Sequence, residues 1–295
     1  MNRAERRGFG SRVFDIFNHT FLLVLGLSCV IPLIHLLALS FSDRAAATGG
    51  LVTLWPVRPT SITYEKVLEA GVFLNAFWIS VIRTVVGTTL QMMLVVLISF
   101  PLSKNKEEMP FRNIIMGSVV FAYLFNGGLI PWFLVIRKLG MLNTIWALII
   151  PQALPLWNVI LMMNFFRRVP KELEEASIID GATYWQILLH VYLPISVPAL
   201  ATLTLFGAVG HWNAWFDGMI LIADRDLIPL QTFLRTVVVK MDMNEFMRNP
   251  EDFDMFSDRS LRAAQTLVTV VPILVVYPFL QRYFVSGITL GALKG

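Results

Sequence analysis

Apolar residues along this chain fall into long blocks separated by polar connections, near 14–41, 72–102, 111–136, 144–166, 193–223 and 263–285. Crossing a hydrocarbon layer roughly 30 Å thick takes about 20 helical residues, and each block is long enough. Six membrane spans follow. Backbone polar groups must be satisfied within the bilayer, and no block alternates polar and apolar positions as a barrel strand does, so all six are expected to be α-helices. Prolines such as Pro32, Pro131 and Pro151 are expected to kink them. The first block follows a basic stretch, as in a secretory signal, but it exceeds the roughly 7–15 apolar residues of such a signal and lacks a small-residue cleavage site. It reads as the first retained span.

Composition agrees with the pattern. Of 295 residues, 56% are hydrophobic and only 15% charged, which excludes an ordinary soluble domain. One membrane domain over residues 14–285 is expected, with tails at 1–13 and 286–295. The single cysteine, Cys29, provides neither a disulfide framework nor a cysteine-based metal site. Together with His35 it reads as a packing residue of the first span, because no metal-ligand spacing surrounds either. No metal and no cofactor of the chain's own are expected. The net charge of +4 does not point to nucleic acid, since no basic stretch is interleaved with base-stacking aromatics.

Charge instead bears on orientation. Arg3, Arg6, Arg7 and Arg12 precede the first span, Lys104, Lys106 and Arg112 lie in the 104–112 connection, and Arg167, Arg168 and Lys171 lie in the 167–192 connection. Counted over the whole chain, basic residues divide almost evenly between the two sides. The long 224–262 segment accounts for that balance, and its acidic residues outnumber its bases, so the short connections and the tail carry more weight. Both termini are expected in the cytoplasm and the 224–262 loop outside.

The connection between the fourth and fifth spans is longer and more polar than a simple link needs. Pro170 suits a first helical position, and Glu172, Glu174 and Glu175 sit where the positive end of a helix favours anions. Asp180-Gly181 signals a turn. Thr183 followed by Gln186 has the spacing of a capping box, predicting a second helix from about Tyr184 that Pro194 ends. Two short helices joined by a turn are expected over 167–193.

Within that segment Glu175-Ala176-Ser177, Asp180-Gly181-Ala182 and Leu193-Pro194 resemble the EAA loop of ATP-binding-cassette importer permeases, departing only in Ser177 where a second alanine is usual. Asn75, Arg83-Thr84, Gly87-Thr88, Phe125-Asn126-Gly127-Gly128-Leu129-Ile130-Pro131, Gly210-His211-Trp212-Asn213 and Gly291-Ala292-Leu293-Lys294-Gly295 are similar to the carbohydrate-uptake branch, which includes maltose-transporter-like permeases. The resemblance implies an all-α, six-span, MetI-like type I importer architecture. It also implies partners: a second homologous permease subunit, two ATPase subunits that bind the ATP and magnesium, an extracytoplasmic solute-binding protein, a carbohydrate, and the lipid around the spans. Glu175, Ala176, Ser177, Asp180, Gly181, Ala182 and Pro194 are then the ATPase-coupling residues. The chain has no Gly-x-x-x-x-Gly-Lys-Ser/Thr phosphate loop, so it is expected not to be an enzyme.

Candidate substrate contacts gather at the far end of the fifth span. His211, Trp212, Asn213, Trp215 and Asp217 offer aromatic faces, amide and carboxylate for sugar rings and hydroxyls, and Gln152, Asn158 and Asn164 in the fourth span can line the same path. An interfacial aromatic belt accounts for the tryptophans, and interhelical hydrogen bonds account for the amides, equally directly. Arg83 and Asp217 are charges within spans, which face a cavity, pair with each other, or snorkel to the interface. Leu230, Phe233, Leu234, Val237 and Val238 recur at helical spacing, as a solvated loop or a docking surface for the binding protein. Gly287, Gly291 and Gly295 have the spacing of a helix-packing motif beyond the last span. A different class, an ion-driven secondary transporter, predicts internally repeated halves with broken helices.

Overall fold

A computed structural model describes residues 9–69, 71–125, 127–239 and 259–275 of the chain. The described residues are helical or irregular, with no strand among them. They belong to two compact units, one drawn from residues up to Ala70 with 237–270, the other from Gly71–Thr236 with the residues after Val270.

In the first unit the Phe9–Ser40 helix carries the first span over Val13–Ser40. Leu22, Leu23, Val24, Leu27 and Cys29 all face outward, as suits a helix bathed in lipid rather than packed in a core. Pro32 is accommodated within the continuous helix. His35 is not a bare packing residue: its Nδ1 lies 2.6 Å from the Thr53 carbonyl. Beyond the helix, Ser42 Oγ accepts from Val57 N–H at 3.0 Å, and Asp43 caps the Arg44–Thr48 helix by accepting from Ala46 N–H at 2.8 Å.

The second unit is organised on the Gly71–Ser103 helix, the second span. Val95, Phe100 and Leu102 from that helix join Met162, Phe166, Ile187, Leu188, Tyr192 and Leu203 in one apolar core. The third block is divided into Arg112–Leu124 and Leu129–Lys138, with Gly128 before the second helix at φ +87° and Pro131 in its first turn. The fourth block bends by 46° between Ile145–Gln152 and Leu156–Phe166. Pro151 and Pro155 bracket that bend, each unable to donate a helical hydrogen bond. The fifth begins with the Val197–Asn213 helix, which the preceding Tyr184–Ile195 helix of the connection meets at a bend of 82°.

Two expectations need adjustment here. Val197–Asn213 stops short of the expected end of its span, because the chain turns extended at Ala214 before helix resumes over Phe216–Leu221. Pro194 does not end the helix before it either. Leu193 N–H reaches back five residues to the Leu188 carbonyl, and this π-type turn over Leu188–Tyr192 absorbs the proline, so the helix continues to Ile195. The sixth span is helical over 259–275. Its continuation to 285, the Gly287/Gly291/Gly295 spacing, Asn126 and residues 240–258 lie outside the described residues.

Candidate functional site

Two sites occupy opposite ends of the Val197–Asn213 helix. At its C-terminal end is a cavity of about 580 Å³ bordered by Trp132, Gln152, Asn213, Trp215 and Asp217, among others. The break at Ala214 lies in its wall. Once the helix stops, the Ala214 carbonyl has no helical partner and accepts from Arg83 Nη1 at 3.1 Å. Arg83 Nη2 pairs with Asp217 Oδ2, which also accepts from the Gln152 amide at 2.8 Å, while Asp217 Oδ1 accepts from Gly218 N–H at 2.9 Å. Arg83 is completely buried and Asp217 nearly so. The intramembrane charges therefore pair with each other; neither snorkels.

Asn143 helps hold the Asp217 helix in place. In a left-handed conformation, φ +60°, its N–H donates to the Leu221 carbonyl at 2.9 Å, while its side-chain oxygen accepts from Ala223 and Asp224 N–H at 3.0 and 2.8 Å. Asparagine is one of the few residues that adopts this conformation readily.

Of the expected substrate residues, Gln152, Asn213, Trp215 and Asp217 converge on the cavity. His211 and Trp212 turn instead into helix packing. His211 lies against Gly87, where an added Cβ would come within 2.7 Å of the ring, and Trp212 meets Phe77 edge-on with ring centres 5.8 Å apart. Both His211 ring nitrogens lack a hydrogen-bond partner among the described residues. Asn158 is buried and does not border the cavity, and Asn164 is exposed. The sequence did not single out Trp132 or Arg235; the Arg235 guanidinium stacks 3.7 Å from the Trp215 ring centre. Leu230 and Phe233 are partly used by the chain itself: Leu230 N–H donates to Ser80 Oγ at 2.8 Å, and Phe233 packs edge-on against Phe73.

At the other end, Lys171–Ile179 forms a helix that begins one residue later than expected, with Pro170 as its N-cap. Its end follows from Gly181. With φ +79°, Gly181 lets its own N–H reach the Ile178 carbonyl at 3.0 Å and Ala182 N–H reach Ser177 at 2.9 Å, closing the last turn. A Cβ added at Gly181 would meet no atom within 4 Å, so backbone angle is the constraint there. The Thr183–Gln186 capping box is present: Gln186 N–H donates to Thr183 Oγ1 at 3.4 Å, and Thr183 N–H donates to Gln186 Oε1 at 2.7 Å. Glu175, Ala176, Asp180, Gly181 and Pro194 are exposed, Ser177 and Ala182 partly so. Glu174 faces inward, a partition the spacing of three glutamates did not reveal.

The family model for binding-protein-dependent transport system inner membrane components matches residues 5–290. The chain belongs to this family. It is a non-catalytic, multi-pass permease subunit of an ATP-binding-cassette importer. Protein LplC of Bacillus subtilis is 36% identical over 96% of both chains, and the polygalacturonan/rhamnogalacturonan transport system permease protein YtcP of the same organism is 36% identical over 97% of this permease and 99% of its own length. A solved bacterial transporter that imports the acidic polysaccharide alginate superposes with a TM-score of 0.87 at 33% identity, covering 94% of this permease and 98% of its counterpart. Those likenesses extend through both the cavity and the loop.

Proposed function

We propose that this permease forms half of the path by which an oligosaccharide, delivered by an external solute-binding protein, crosses the membrane. A second, similar permease completes the path, and two ATPase subunits bind and hydrolyse ATP with magnesium. Residues 167–193 are the coupling loop on the cytoplasmic face, with both termini on that side and the 224–262 segment outside.

The observation that carries the coupling assignment is the exposure of large apolar side chains on this otherwise polar loop. Ile179 is 85% exposed, and Leu173, Ile178, Tyr184 and Trp185 of the same loop are exposed as well, as are Glu175 and Asp180. Large apolar side chains left exposed along a short polar segment favour a surface for a protein partner. For the path, a cavity with two tryptophans, two amides and a carboxylate balanced by a buried arginine suits a polar ring compound, and its volume is in the usual range for small-ligand sites. The saccharides named for the relatives favour a sugar, and those for the alginate importer and YtcP favour an acidic one.

Calorimetric titration of the cognate binding protein with acidic and neutral oligosaccharides tests the substrate class. Binding of an oligosaccharide supports the proposal, whereas retention of only an unrelated solute refutes it. The cavity is tested separately by Trp215→Ala, expected to raise the KM for uptake roughly tenfold through loss of a stacking face while leaving basal ATP hydrolysis unchanged. An unaltered KM would remove the cavity from the path.

A further inference from the structure

We propose that Lys104, Glu174 and Tyr192 form a buried latch joining the Lys171–Ile179 helix to the end of the Gly71–Ser103 span, so that movement of the helix is delivered to the span. The proposal rests on the assignment of 167–193 as the coupling loop. It makes the three residues positioning residues, acting through the elements they connect.

The geometry is a closed ring. The Lys104 ammonium pairs with Glu174 Oε1, Glu174 Oε2 accepts from Tyr192 Oη at 2.5 Å, and Tyr192 Oη accepts from Lys104 Nζ at 3.2 Å. All three residues are buried, Lys104 and Glu174 at 8% exposure each. The ammonium also lies over the rings of Phe100 and Tyr192, 4.3 and 4.4 Å from their centres. Phe100, Phe166 and Tyr192 pack edge-on against one another with centres 5.0–6.2 Å apart. Ends of the second and fourth spans and the Tyr184–Ile195 helix thus meet at one point, and Glu174 ties the loop helix to it.

Burial decides what such a pair can do. An exposed Lys–Glu pair is loose and contributes little, because water replaces either partner. Here a displaced partner would leave its counterpart desolvated and unpaired, so the ring resists separation and the joined helices move together. Lys104 also follows the C-terminal end of its helix, where a cation is favoured. From Arg83 to Ser103, the residue before Lys104, is 20 residues along this helix, roughly 30 Å of rise and about the thickness of the hydrocarbon layer. The second span is therefore tied by two ionic joints, to the loop helix through Glu174 just past its C-terminal end and to the cavity through Asp217 at Arg83, 12 residues in from Gly71.

Because a buried ion pair adds little net stability, an apolar replacement of all three groups separates linkage from folding. In proteoliposomes containing the full complex, Lys104→Met/Glu174→Leu/Tyr192→Phe should assemble with the ATPase and retain ATP hydrolysis. Its uptake per ATP, read with whichever labelled galacturonate or alginate oligomer the unmodified complex imports, should fall about tenfold. Tyr192→Phe alone keeps the aromatic packing and should lower the ratio about threefold, giving a readout even where the triple variant does not assemble. An unmodified ratio in the assembled triple variant, or in Tyr192→Phe, overturns the latch. Gly181→Val, run alongside, strains the loop outside the latch. If it uncouples while the latch variants do not, the latch alone falls; if it too transports normally, the coupling-loop assignment falls with it.

Discussion

Arg83 is fully buried at the cavity, and its charge is tolerable because Asp217 and the Ala214 carbonyl take its two terminal nitrogens. Arg83→Met would leave the Asp217 carboxylate desolvated without a counterion, and should destabilise the subunit by about 3–5 kcal/mol. Arg83→Met/Asp217→Leu should recover most of that loss, measured as the thermal midpoint of the detergent-solubilised complex; a double variant no better than the single one contradicts the pairing. Gly181 sets a different constraint. Its φ of +79° with open space around it predicts that Gly181→Asn is tolerated, while Gly181→Val lowers uptake about tenfold without loss of membrane insertion. Equal uptake by the two variants would show that φ is not what the turn requires. Both positions stood out in the sequence, one as a charge inside a span and the other as a turn glycine. Asp217 stood out beside Arg83, but pairing was one of three alternatives for them, because the contact joins residues 134 positions apart and no local spacing encodes it.

Among the elements, local chemistry was the most legible. The capping box at Thr183 and Gln186 and the glycine-terminated helix before it involve residues three to five apart, and both formed as expected. The break at Ala214 and the inward turn of Glu174 were hidden, since each depends on what a neighbouring helix presents. Likewise Gly87 read only as part of a resemblance, yet it is where the Gly71–Ser103 and Val197–Asn213 helices approach closely enough for the His211 ring to fill the space of a side chain. Gly87→Ala should therefore push these helices apart and cost about 1–3 kcal/mol, with a lowered thermal midpoint. Gly117→Ala, where an added Cβ meets nothing within 4 Å, is the control and should leave the midpoint in place. Similar midpoints for the two would mean the helices have slack at this contact.

At the scale of the whole molecule, the block pattern made the membrane fold legible, while orientation rested on an almost even division of charge. Cysteine labelling decides the orientation. With Cys29 replaced, single cysteines at Glu5 and Lys106 should be shielded from an impermeant reagent in intact cells and one at Pro250 should react; the reverse pattern inverts the topology. The claim on which the rest depends is that transport is driven by ATP hydrolysed on a separate subunit and passed in through residues 167–193. Its most direct measurement is uptake of a labelled oligosaccharide by proteoliposomes holding both permeases, the ATPase and the binding protein, with ATP enclosed and no ion gradient. Uptake should proceed, and should stop when the ATPase active site is inactivated by substitution. Uptake that survives that inactivation and follows an imposed ion gradient would contradict the account.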